Sequence, residues 1–185
     1  MHLSYAQNPR RQVSLMDLKE VFRFVAPRVR EAAVKTSDQL NRLGIRHALA
    51  GGLAVGAHGC IRATADVQFL VGEEAFEHQG LLVAFKAGVF IEVDGVRIDY
   101  LSPTSLGPQL EEVLDHPPMN EGFAVVPIEV LIYMKLVAKR RRDMVDVIEL
   151  VKAGAGVKHV REYLREYAVE LVPCFEELVN EALVE

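Results

Sequence analysis

Residues 51–68 read GGLAVGAHGCIRATADVQ, and this stretch decides the fold. A short apolar run at 47–50 precedes the two glycines, a helix-prone segment follows at 53–58, and Asp66 opens a second apolar run. Glycine permits a tight turn because it lacks a Cβ atom, and short apolar runs are typical of buried strands. The stretch therefore predicts a strand, a glycine turn, a helix and a second strand that begins with an acidic residue.

A second pattern, FIEVDGVRIDYL, starts at residue 90. An Asp-Gly pair between two alternating runs is the strongest short-range signal for a β-hairpin. A turn at Asp94-Gly95 places Glu92 opposite Arg97 and Phe90 opposite Asp99. The sequence therefore predicts two paired strands whose register is set by that turn.

Most of the remaining chain has helical periodicity. Helices are predicted at 15–25, 29–43, 105–114, 127–140, 142–152, 157–167 and 174–183, with a short strand at 122–126. The pattern leaves open whether residues 80–89 form an additional strand. The predicted fold class is α/β (α+β), a mixed sheet flanked by helices. Its predicted parts are an N-terminal arm at 1–14, an α/β core at 15–126 and a helical C-terminal region at 127–185 that closes one side of a cleft.

Composition limits the classes of function. The chain has 185 residues, a formal charge of −5 and an apolar fraction of 50%, which is enough for a packed core. The acidic balance argues against a protein that coats nucleic acid through bulk charge. Cys60 and Cys174 show neither metal-ligand nor redox spacing, which favours a reduced, cytoplasmic protein. No stretch approaches the ~20 apolar residues that a membrane span needs, so no membrane association is expected.

Two carboxylates and an amide are candidates for a metal site. Asp66 and Gln68 are two positions apart in one predicted strand, so their side chains share a face of the sheet. Asp99 reaches the same surface if the hairpin strand lies beside the first strand. Magnesium prefers hard oxygen ligands, so we expect Asp66 and Asp99 to hold such an ion, to which Gln68 adds a carbonyl oxygen. The alternative is that Asp66 caps or pairs with Arg62, and that Asp99 is a solvated surface residue.

The residues around the glycine turn are candidates to bind phosphate. Gly51 and Gly52 let the backbone approach a phosphate group closely, although a tight turn without any ligand has the same signature. Arg62 and Thr64 precede the acidic strand and are expected to steady a triphosphate or a metal-linked water. A loop arginine is also often merely solvated. His58 is interpreted as a packed histidine at a helix end.

A cationic segment lies in IEVLIYMKLVAKRRRDMVDVIEL, residues 128–150. If this segment is one continuous helix, Lys135, Lys139, Arg142 and Asp146 fall on one stripe. An isolated lysine among apolar residues, such as Lys135, favours a phosphate-binding role, and we assign the same role to Arg142. The other basic residues of the segment are interpreted as a solvated face or a contact for nucleic acid.

The stretch at 51–68 resembles the first motif of the nucleotidyltransferase superfamily with the DNA-polymerase-β-like fold, in which a glycine pair opens a helix and an Asp-x-Asp follows. It is most similar to the small bacterial toxin-like branch of abortive-infection and type IV toxin-antitoxin systems. The residues on that pattern are Gly51, Gly52, Ala54, His58, Gly59, Arg62, Thr64 and Asp66. Gln68 stands where the branch has its second aspartate. Residues that match later motifs are Asp99, Lys135, Ala138, Arg142, Asp143 and Asp146.

The resemblance implies a magnesium-dependent enzyme that moves a nucleoside monophosphate from a nucleoside triphosphate to an acceptor hydroxyl on RNA, a protein or a small molecule. Asp66 and Asp99 would then be catalytic, and the basic segment favours RNA slightly. An alternative is a degenerate, non-catalytic member that serves as a nucleotide- or partner-binding module, because Gln68 is a weaker metal ligand than aspartate. A third interpretation is a scaffold that pairs with a cognate protein or forms a homodimer through its C-terminal helices.

Overall fold

The computed structural model describes residues 15–77 and 90–184. The N-terminal arm predicted at 1–14 and the open question of a strand at 80–89 lie outside these ranges. Within them, the predicted α/β class is confirmed, because helices flank a mixed four-stranded sheet. No helix in the two ranges combines the length and the apolar character that a membrane span requires.

The described ranges contain ten α-helices, six strands and one 3₁₀ turn. The helices are α1 (Leu18–Arg23), α2 (Pro27–Arg42), α3 (Gly51–Ala57), α4 (Glu74–Glu77), α5 (Pro103–Leu106), α6 (Leu110–Val113), α7 (Ile128–Ala138), α8 (Arg141–Lys152), α9 (Val157–Tyr167) and α10 (Val172–Val184). The strands are β1 (His47–Ala50), β2 (Asp66–Val71), β3 (Phe90–Val93), β4 (Val96–Leu101), β5 (Met119–Asn120) and β6 (Phe123–Ala124). A 3₁₀ turn at Val169–Leu171 leads into α10.

The main sheet has the strand order β1-β2-β4-β3. Strands β1 and β2 are antiparallel, β2 and β4 are parallel, and β3 and β4 form the antiparallel hairpin. The predicted hairpin register is confirmed, because Glu92 lies opposite Arg97 and Phe90 lies opposite Asp99. The parallel pairing places β4, the second strand of the hairpin, beside β2. Asp99 therefore lies on the same surface of the sheet as Asp66.

The two faces of the sheet differ because side chains alternate along each strand. Val67 and Phe69 of β2 and Ile98 of β4 are fully buried, and α2 packs against both of these strands. Asp66 and Gln68 point to the opposite face and are only partly buried. One face of the sheet therefore contributes to the core, and the other leaves polar groups open to a cleft beside α7.

The helix predicted at 105–114 is wrong, because the segment forms two short helices, α5 and α6. Gly107 lies between them and adopts φ = 147°, a conformation that no helix contains. Pro108 follows, and a proline disfavours the helical conformation of the residue before it. The Gly-Pro pair thus outweighs the helical periodicity of the apolar residues on either side.

The helices predicted at 127–140 and 142–152 are present as α7 and α8, so the single continuous helix considered for residues 128–150 does not form. Helix α7 ends at Ala138, and Lys139 adopts the left-handed conformation with φ = 53°. Helix α8 begins at Arg141 after a change of direction. The common stripe predicted for Lys135, Lys139, Arg142 and Asp146 does not exist, because these residues lie on two helices and on the link between them.

Candidate active-site cleft

Four polar residues form a square on two adjacent parallel strands, and three of them, Gln68, Arg97 and Asp99, line the floor of the cleft. Asp66 lies opposite Arg97, and Gln68 lies opposite Asp99. Residues two apart in a strand point to the same face, so all four side chains emerge on one side of the sheet. The predicted meeting of Asp66, Gln68 and Asp99 on one surface is therefore present. The two carboxylates occupy one diagonal of the square, and Gln68 and Arg97 occupy the other.

Asp99 is held by two neighbours within this square. Arg97 donates from Nε to both carboxylate oxygens of Asp99, at 2.9 and 3.1 Å. Gln68 donates from Nε2 to Asp99 Oδ2 at 3.4 Å. The guanidinium carbon of Arg97 lies 4.4 Å from the centroid of the exposed Phe90 ring, a cation–π distance. Asp99 is thus the acceptor of a fixed arginine, not a free surface carboxylate.

Asp66 has a different partner from the one that the alternative interpretation named. Thr64 donates from Oγ1 to Asp66 Oδ1 at 2.9 Å. Arg62 pairs instead with Asp146 of α8, through donors Nε at 2.7 Å and Nη2 at 2.9 Å. Thr64 therefore orients the first carboxylate, while Arg62 connects the loop before β2 to the C-terminal helices.

The glycine turn is shaped by the side chains that approach it. Gly51 has φ = 57°, and a Cβ atom there would lie 2.2 Å from Gln68 Oε1. A Cβ atom on Gly52 would lie 2.6 Å from Thr64 Oγ1. Both glycines are thus required by close packing of the residues that line the acidic strand. Gly51 also borders the cleft, where its backbone meets the amide of Gln68.

A buried ionic network forms the wall opposite the sheet. Lys135 donates from Nζ to Asp143 Oδ1 at 2.8 Å and to Asp146 Oδ2 at 2.7 Å. Only 7% of the Lys135 side chain is exposed, against 2% for Asp143 and 3% for Asp146. Arg140 adds a donor from Nε to Asp143 Oδ2 at 2.6 Å. Burial alone would raise the pKa of Asp143, but the hydrogen bonds from Arg140 and Lys135 hold it below its usual range.

The basic residues after α7 separate into different environments. Arg142 donates from Nη2 to the carbonyl oxygen of Ala63 at 3.0 Å and so holds the loop before β2. Arg140, interpreted from the sequence as part of a solvated face or a contact for nucleic acid, is 64% exposed and also lines the cleft with Lys135. It follows Lys139, whose left-handed conformation ends α7.

The cleft between the sheet and α7 has a volume of about 320 Å³. Its sheet side presents Gly51, Gln68, Arg97 and Asp99, and its other walls are formed by Tyr100, Leu101, Leu106, Leu131, Met134, Lys135, Ala138, Arg140 and Asp143. The lining therefore combines charged and polar groups with apolar side chains. Such a mixed lining is typical of sites for small ligands.

The donor set of the square does not fit a two-magnesium centre. Such a centre needs several carboxylates that share the ions, and here the position between the two aspartates holds Gln68. Both oxygens of Asp99 accept from Arg97, which cannot lose its proton in a protein. Across the described parts of the chain, no group of three or more His, Cys, Asp or Glu is arranged to hold a metal ion.

His58 ends α3 and is buried, as expected of a packed histidine. Its Nε2 lies 2.8 Å from the carbonyl oxygen of Val126, to which it donates. Burial lowers the pKa of His58, while the bond to Val126 and the nearby Glu129 oppose that shift. The neutral ring therefore joins α3 to the segment that enters α7.

The lowered pKa of His58 predicts a loss of stability in mild acid. The unfolded chain binds a proton near pH 6.5, before the folded chain does, so protonation favours unfolding as the pH falls below that value. We expect His58→Gln to keep the bond to Val126 and to flatten this loss, by about 1.4 kcal/mol for each unit of pKa lowering. Urea unfolding of both proteins at pH 7.5 and 5.5 measures the difference. Equal losses in the two proteins would contradict a neutral buried His58.

Comparisons with known proteins give little beyond the geometry. No protein-family model matches the chain, and no curated protein matches it significantly. Among solved structures, the chain is similar to an antigenic nucleotidyltransferase-like protein from Paracoccidioides brasiliensis. The identity is 13% and the TM-score 0.46, and the alignment covers 90% of this chain and 95% of that one.

Proposed function

We propose that this protein is a nucleotidyltransferase-type module that binds a nucleoside triphosphate in the cleft and has lost most or all transfer chemistry. The observation that carries the proposal is the arrangement around Asp99. Gln68 replaces the carboxylate that would share a metal with Asp99, and Arg97 occupies both oxygens of Asp99. A neutral amide and a paired carboxylate leave the transfer machinery incomplete while the cleft itself stays open.

The composition of the cleft supports a phosphorylated ligand with an apolar part. Arg97, Lys135 and Arg140 line the cleft, and guanidinium groups bind phosphate oxygens in pairs. Leu131 and Met134 also line it and would offer apolar contacts to a base and a sugar. The volume of about 320 Å³ lies at the lower end of the range for small-molecule sites.

A magnesium-dependent transferase is the second candidate, and the retained carboxylates favour it. Asp66 and Asp99 still lie on one face of the sheet, and Gln68 would add a carbonyl oxygen. In that case Asp99 would also organise an acceptor hydroxyl on RNA, a protein or a small molecule. A toxin-like role with a cognate protein partner is compatible with either candidate function, and so is a homodimer.

Calorimetric titration with the four nucleoside triphosphates tests the binding site. Ala138 is exposed and borders the cleft, so Ala138→Trp is expected to fill it and to weaken binding at least tenfold. Val145 of α8 is 53% exposed and does not line the cleft, so Val145→Trp is the matched control and should bind like the native protein. Equal binding by both variants would place the ligand elsewhere, and no binding by the native protein would refute the proposal.

Pyrophosphate release separates the two candidates. The native protein, supplied with magnesium and a labelled triphosphate, is expected to release no pyrophosphate above background. Release that disappears in Asp66→Asn would establish the transferase and overturn the binding module. The same assay on total RNA and on cell protein would then identify the acceptor.

A further inference from the structure

Arg97, one of the four residues of the square, is a cation. A metal-dependent site needs carboxylates that are free to bind the metal ion. Arg97 lies opposite Asp66 in the β2–β4 register, and its guanidinium group bonds Asp99 and lies over the Phe90 ring of β3, so Asp99 carries a fixed cation. A guanidinium keeps its proton at all relevant pH values. A divalent ion on this diagonal would therefore meet a fixed like charge and would have to compete with two existing hydrogen bonds.

Arg97 is also placed to bind an anion from the cleft. Its side chain is 53% exposed, and its Nε is the atom that bonds Asp99. The guanidinium group lies over the Phe90 ring, 4.4 Å from its centroid. The two terminal amino groups have no hydrogen-bond partner among the described residues, so they remain available for phosphate oxygens.

A second arginine reaches the same square from the opposite wall. Arg140 lines the cleft, and its side chain is 64% exposed despite the bond to Asp143. Its pKa is raised by Asp143 first, and also by the charges of Asp66 and Asp99. Arg140 lines the same cleft as Gln68, Arg97 and Asp99 of the square. Two arginines from separate elements thus face one small volume.

We infer that the cleft binds the phosphate groups of its ligand through Arg97 and Arg140, and that this binding does not require a divalent cation. The inference rests on the proposed function, since it specifies how the same site recognises the triphosphate. The ligand class is a polyphosphate, of which a nucleoside triphosphate is the case that also uses the apolar wall. Asp99 then serves to orient Arg97, and Asp143 serves to orient Arg140.

Titration of the full chain with ATP and with inorganic tripolyphosphate, each in EDTA and in magnesium, tests the inference. ATP affinity should agree within about threefold between the two conditions. Arg97→Gln and Arg140→Gln should each weaken binding in EDTA about tenfold or more, since each removes a charged hydrogen-bond donor. Arg141→Gln, an exposed neighbour outside the cleft lining, is the control and should bind normally.

The outcomes separate this inference from the proposed function. ATP binding that requires magnesium would overturn the arginine mechanism and leave the nucleotide-binding proposal intact. Binding in EDTA that survives both substitutions would also overturn it, because other groups would then hold the phosphates. Absence of ATP binding under every condition would remove both. Tripolyphosphate binding that follows the same pattern as ATP binding would support recognition through the phosphates.

Discussion

Replacing Lys135 with methionine is expected to lower the free energy of unfolding by about 3 kcal/mol, at the low end of what removing one partner of a buried ion pair costs. Methionine has a similar length and fills the same space, so the loss reports the charge. Asp143 and Asp146 would stay buried, and the low-end value reflects their remaining partners Arg140 and Arg62. For a chain of this size, the thermal midpoint should fall by about 6–12 °C. Circular dichroism melting and urea unfolding measure both quantities.

A surface lysine provides the control for this substitution. Lys158 is 81% exposed and forms only a long pair with Glu162 at 4.0 Å, so Lys158→Met should change stability by less than about 0.5 kcal/mol. If Lys135→Met is equally harmless but weakens ATP binding, Lys135 serves the ligand and the network is not a stabilising one. If it unfolds the protein in part and leaves the remaining folded fraction able to bind ATP, the phosphate-binding role predicted for Lys135 is refuted.

The double variant Gln68→Asp with Arg97→Gln is expected to make ATP binding depend on magnesium. The two changes supply the missing carboxylate and remove the fixed cation, so three carboxylates would then share one face with Asp66 and Asp99. Magnesium should raise ATP affinity at least tenfold in this variant and only marginally in the native protein. Calorimetric titration with ATP, with and without magnesium, measures the change, and pyrophosphate release shows whether chemistry returns with the metal.

The control must carry the same change of charge at a distant place. Gln39 and Arg42 are exposed residues of α2, which packs on the other face of the sheet, so Gln39→Asp with Arg42→Gln alters the net charge equally. That control should retain metal-independent binding. A folded Gln68→Asp/Arg97→Gln protein with no response to magnesium would show that the square cannot hold the ion, whatever its charge. The single variant Gln68→Asp, which keeps Arg97, should respond less than the double variant.

Much of the floor of the cleft could be predicted because its register follows from local signals. The Asp-Gly turn fixed the hairpin, and strand alternation placed Asp66 and Gln68 on one face. The parallel pairing of β2 with β4 could only be assumed from the sequence, because no local pattern indicates which strands are neighbours. Once that pairing exists, the position of Asp99 beside Gln68 follows.

The other wall could be predicted only in part, since Lys135 is a candidate from the sequence, whereas the left-handed conformation of Lys139 has no sequence signal. Chain reversals at helix ends usually use glycine, which adopts the left-handed conformation without strain. Here Lys139 adopts it, inside a run of basic residues that reads as a continuing helix. The position of Arg140 in the cleft therefore could not be predicted. That of Arg97 could have been, because Arg97 and Asp99 are two positions apart in one strand and share a face.

Arg62 pairs with Asp146, which lies 84 positions later in the chain and also accepts a hydrogen bond from Lys135. A chain cut after residue 126 would leave the first half with Arg62 unpaired, and the second half with Asp146 deprived of one of its two cations. Such halves gain little by folding separately, so the sheet and the C-terminal helices are expected to melt in a single step. Loss of the C-terminal helices is accordingly expected to destabilise the sheet as well, which ties the integrity of the cleft to residues such as Asp146 that do not line it.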